Sequence, residues 1–119
     1  MVQVEHLLSK TQEYCTYIQK NPSFREMDRL FSAFLPEYFE RVQDRPTKVD
    51  FTLFIFPGEN YIEPMVVLHY PDVVVDRIQL RDQMLDSFKH YLANNAGSLN
   101  AFRNVRKVQR KYRFIVRGE

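Results

Sequence analysis

The chain of 119 residues is 45% hydrophobic and 27% charged, the balance of a folded globular protein and not of a disordered segment. That length suits one domain, residues 1–119, whose core can hold without disulfide staples. The lone Cys15 has no partner for an internal disulfide, no stretch approaches the roughly 20 apolar residues of a membrane span, and the opening "MVQVEHLLSKTQEY" lacks a signal peptide's apolar run. A cytoplasmic, reducing setting is therefore expected.

In chain order, Val4, Leu7, Leu8, Thr11, Tyr14, Cys15 and Ile18 recur at three-and-four spacing and predict an amphipathic helix of four to five turns, with Cys15 on its apolar side. Ser23 with Glu26 three residues later has the form of a capping box, so a second helix is expected from there. Its apolar face is Phe24, Met27, Leu30, Phe31, Phe34 and Leu35, and Pro36 is expected to bend or restart it before "EYFERV".

"KVDFTLFIF" switches to a period of two, with Val49, Phe51, Leu53 and Ile55 on one side and Asp50 and Thr52 on the other. Pro57 and Gly58 suit a tight reversal, and "YIEPMVVLHY" returns as the partner strand, giving a hairpin over about 48–69. Pro64 in that strand implies an edge or a bulge near its start. Val73, Val74 and Val75 favour extended structure, and a helix follows over about 80–94, ended by "NNAG" with Gly97 as its left-handed cap. From about Leu99 a short basic helix leads into a final strand carrying Tyr112, Phe114 and Val116 on one side. The fold class expected is α+β, with N-terminal helices packed on a small antiparallel sheet.

Net charge is +2 but unevenly placed: residues 103–119 hold seven bases against Glu119, and the remainder is net acidic. Arg103, Arg106, Lys107, Arg110, Lys111, Arg113 and Arg117 are the candidate surface for a polyanion or other partner. The competing explanation is a basic segment lying over the acidic body of the same molecule. Leu7, Leu8, Tyr14 and Ile18 are the candidate interface, in the fold or in a dimer seam through the N-terminal helix.

Catalytic chemistry finds little support. Three glycines make no phosphate-cradling loop. His6, His69 and His90 lack ligand spacing, and one cysteine cannot build a structural zinc site. Asp86 and His90 stand at i, i+4, the spacing of a surface pair. No catalytic residue, metal or cofactor is expected.

"LFSAFLPEYFE" followed by a hairpin and then "YPDVVVDRIQL" resembles the front of an RWD domain over residues 30–80. Pro36, Glu37 and Phe39 match its first motif, and Tyr70 with Pro71 the start of its Tyr-Pro turn, whose second proline is replaced here by Val75. The resemblance implies a ubiquitin-conjugating-like α+β domain without the catalytic cysteine, used to bind other proteins. The leading expectation is thus a small protein-interaction module, an adaptor or scaffold, whose partner is another protein. A nucleic-acid-binding protein using 103–117 is the alternative, and a small-ligand-binding α+β domain the second.

Overall fold

Thr11 decides where the first helix starts. Its hydroxyl accepts a hydrogen bond from the Tyr14 amide at 3.1 Å, an N-cap that opens helix α1, Gln12–Lys20. The helix expected from Val4 to Ile18 is corrected accordingly: Leu8–Lys10 is a short strand, β1, and Thr11 is a cap and not part of an apolar stripe. Val4 lies outside the described residues, which are 7–71 and 76–118 of the computed structural model.

Helix α2 runs Pro22–Arg41. Pro22 takes its first position, where a missing N–H leaves no bond unmade. The Ser23–Glu26 capping box does not form: the helix starts with Asn21 as its N-cap, which leaves Ser23 inside it, and Glu26 pairs with Arg29 one turn on. Nor does Pro36 restart the helix, which continues through it as one element.

Strands β2, Lys48–Ile55, and β3, Ile62–Tyr70, form the expected hairpin, with Gly58 at φ +78° in its turn. Helix α3, Arg77–Asn95, begins at Asp76, whose carboxylate accepts from the Gln79 amide. The expected extended run Val73–Val75 lies outside the described residues. Gly97 at φ +86° ends α3 as the sequence predicts, and Ser98 caps α4, Leu99–Gln109, before the last strand β4, Arg113–Gly118.

The four strands make one sheet in the order β1-β2-β3-β4. Only the hairpin pair is antiparallel; β1 lies parallel to β2, and β4 parallel to β3. The α+β class holds, while the antiparallel sheet is corrected to a mixed one. A tight turn forces antiparallel pairing, whereas each outer strand is joined to its neighbour through two helices, long enough for a parallel crossover. Pro64 pairs with Leu53, one residue before the β3–β4 register begins at Met65, so the missing donor falls where β3 has no neighbour on its β4 side.

All four helices pack as one layer on one face of the sheet, and a single apolar core fills the space between. Because β3 runs opposite to β2 while both crossovers step the same way along the sheet, the two have opposite hands. One of them is therefore left-handed, against a strong general preference. Phe31 of α2 sits at the centre of the layer, with ring centroids 6.0 Å from Phe51 of β2, 5.0 Å from Phe88 of α3 and 5.5 Å from Phe114 of β4.

One polar chain runs from the surface at Lys10 into this core. Lys10 Nζ contacts Asp28 Oδ1 at 3.0 Å and Ser32 Oγ at 2.8 Å. The Tyr14 hydroxyl donates to Asp28 Oδ1 at 2.8 Å, so its oxygen accepts from Tyr112, also at 2.8 Å and 98 positions away in sequence. Among the described residues, no buried side-chain polar atom is left without a partner.

Two outcomes follow from this packing. Phe31→Ala opens a cavity bordered by three other elements and should cost about 3–5 kcal/mol in denaturant unfolding; a loss under about 1 kcal/mol would contradict its central place. Burial raises the Tyr14, Tyr70 and Tyr112 phenols above the ordinary range. Raised folded pKa values mean that stability is intact below the unfolded value of about 10 and falls as pH rises above it, by about 1.4 kcal/mol per pH unit for each phenol. In an alkaline titration followed at 295 nm, these three of the seven tyrosines should ionise only with unfolding.

Candidate functional site

Among the described residues, the second face of the sheet carries no helix. Strand alternation sends Asp50, Thr52 and Phe54 of β2, Met65, Val67 and His69 of β3, and Arg113, Ile115 and Arg117 of β4 to this side. The register aligns them in rows: Lys48, His69 and Arg117; Asp50, Val67 and Ile115; Thr52, Met65 and Arg113. Val67 in the middle row is buried by these neighbours, although it stands apart from the main core.

At one end of the face the hairpin tip gathers aromatic rings. Phe54 and Phe56 meet edge-on at 4.6 Å, and Tyr61 lies 5.1 Å from Phe56. The Arg113 guanidinium stands 4.4 Å over Phe54 and 5.5 Å from the Phe56 centroid, and it ion-pairs with Glu63. Tyr61 of this cluster is 49% exposed, and on the reverse side of the same hairpin tip the paired Ile55 and Ile62 are 61% and 40% exposed.

At the other end His69 Nε2 lies 2.9 Å from Asp50 Oδ2, and Lys48 Nζ 3.5 Å from the other carboxylate oxygen. Thr47 donates from its hydroxyl to the His69 carbonyl at 3.1 Å. In these contacts an acid orients the imidazole and a cation balances the acid, which fixes the ring in place. The Asp86–His90 pair is the surface contact its spacing predicts, 3.7 Å apart and largely exposed.

The residues singled out in the sequence fall in three places. Tyr14 and Ile18 are buried in the protein's own core, with the partly buried Leu7 and Leu8 packed against it, so all four contribute to the fold. The basic residues divide between opposite sides of the molecule. Arg113 and Arg117 point to the open sheet face, while Arg103, Lys107, Arg110 and Lys111 are exposed on α4 and the turn after it, in the helix layer. Arg106 is half-buried and donates to Gln109 Oε1 at 3.1 Å.

Among the described residues, Arg113 is the one of the seven bases that ion-pairs with an acid. The tip cluster was not anticipated, although Phe54 gave a signal: a large apolar residue on the same side of β2 as Asp50 and Thr52.

The space where a ligand would sit between helices and sheet is filled by Phe31, Phe34, Phe51 and Phe88. Open grooves lie on the outside instead. One of about 470 Å³ between α2 and α3 is lined by Glu37, Glu40, His90, Tyr91 and Asn94, and one of about 440 Å³ by Thr16, Tyr17, Lys20 and Leu53. No protein-family model, curated protein or solved structure matches the chain.

Cys15 is exposed, which corrects its placement on the apolar side. With α1 starting at Gln12, Tyr14 and Ile18 take the inward face and Cys15 turns away from them. It should react with a thiol reagent in the native protein about as fast as in urea, and Cys15→Ala should change stability by no more than about 0.5 kcal/mol. Native protection of the thiol would contradict this phase of α1.

Proposed function

We propose that the protein is a non-catalytic interaction module that docks another protein at the tip of its β2–β3 hairpin. The observation that carries this reading is that the hairpin tip exposes apolar side chains on both its sides, Tyr61 in a fixed aromatic cluster and the Ile55–Ile62 pair on the reverse. Large apolar side chains grouped at one surface point are the ordinary anchors of protein interfaces, with Tyr and Arg prominent among them. Arg113 is already held by Glu63 and two rings, so little side-chain freedom is lost when a partner covers it.

The backbone supports the same reading. Pairing with β1 ends at Phe51, so Leu53 and Ile55 continue β2 past the end of that strand. A peptide in extended form can add to such an edge, with main-chain hydrogen bonds supplying affinity and alternate side chains supplying selectivity. The RWD-like motifs point to the same class of function. Tyr70 and Pro71 close β3, and Pro36, Glu37 and Phe39 lie within α2.

The test is site-specific crosslinking in living cells. A photoreactive residue replacing Tyr61 should capture a discrete protein, and one replacing Gln83 on the exposed side of α3 should not. The capture should disappear with Ile55→Asp/Ile62→Asp while thermal stability stays within about 1 kcal/mol. The same crosslinking pattern from both positions, or capture that survives the double variant, would refute the docking site.

A further inference from the structure

Helix α4 has an outer face that no contact among the described residues explains. Its buried side is Val105, Val108 and Gln109, turned toward α2 and α3. Its outer side presents Asn100, Arg103, Asn104 and Lys107, continued by Arg110 and Lys111 in the following turn. Between Ser87 and Gly118 the chain contains no Asp or Glu. The acid of α2 nearest this surface, Glu26, lines a groove of about 360 Å³ with Lys107 and Lys111 but is already paired with Arg29. Four cations thus share one side with no acid partner among the described residues.

We propose that this outer face of α4 binds the phosphate backbone of duplex nucleic acid. Each cation brought to a phosphate releases a condensed counterion, which makes a stripe of unneutralised Arg and Lys effective on a regular polyanion. Asn100 and Asn104 add neutral donors of the kind that hydrogen-bond phosphate and sugar oxygens. Stacking on single-stranded bases requires exposed rings, and the one aromatic residue of α4, Phe102, packs against the core. Insertion into a lipid surface requires a free apolar face, and here Val105 and Val108 are consumed inside, leaving Leu99 exposed at the helix start. The surface is separate from the hairpin tip, so either site can fail without the other.

The experiment measures binding of a fluorescent 20-base-pair duplex between 50 and 200 mM KCl. Four phosphate contacts give a log–log slope of about −3.6, a loss of roughly 150-fold over that range. Arg103→Gln/Lys107→Gln/Arg110→Gln should bring the slope to about −0.9, and Arg103→Gln alone should flatten it by about 0.9. Lys48→Gln/Lys89→Gln/Arg117→Gln removes the same charge elsewhere and should leave the slope unchanged. Absence of duplex binding at 50 mM salt overturns the proposal, as does an equal effect of the two triple variants. Equal or tighter binding of polyglutamate or of phosphatidylserine vesicles overturns it as well.

Discussion

The ring of Phe31 is where the structure is joined. It belongs to α2, and its neighbours are Phe51 in β2, Phe88 in α3 and Phe114 in β4, with Phe34 at 6.1 Å on its own helix. Aromatic pairs at these distances contribute more than the area they bury, through edge-to-face contact. Elements from both halves of the chain therefore meet one side chain. The hydrogen-bonded chain from Lys10 through Asp28 and Tyr14 to Tyr112 repeats that logic with polar groups, tying β1 and α1 to the segment before β4. Its Tyr14–Tyr112 link is buried, where an unsatisfied member would be costly, and each link has its partner.

With the layers closed on each other, the grooves of the molecule lie on its outside. The basic end of the chain does not act as one surface, because the turn between α4 and β4 carries it from the helix layer to the sheet. Arg113 is absorbed into the aromatic tip, and its charge is matched by Glu63. The cations on α4 keep theirs open. One short sequence segment thus supplies two chemically different surfaces on opposite sides of the molecule.

Much of this could be read from residue order. The hairpin announced itself by alternation and by Pro57–Gly58, and the closing helix and strand by two successive periods. β1 could not be read, because three residues have no period and their pairing partner lies about forty positions on. Its loss misplaced the first helix and with it Thr11 and Cys15. Ser23 and Glu26 satisfied a capping pattern, but Asn21 and Pro22 began the helix earlier and Arg29 took the glutamate. The candidate site was legible in its charges and not in its geometry. Phe54, Phe56 and Tyr61 come together only through the strand register and the turn, and the division of the basic residues depends on which side of the sheet each element lies.

The central antiparallel pair gives the chain a natural seam. Cutting the turn at Gly58 would leave two pieces of the same plan, each a strand, two helices and a second strand, with the long edges of β2 and β3 newly bare. The first piece would hold Phe31 without Phe88 and Phe114, and the second would hold those two rings without Phe31. Each would expose what the other covers, along eight paired positions of backbone. The core around Phe31 therefore closes only across a single turn, with rings drawn from both sides of it.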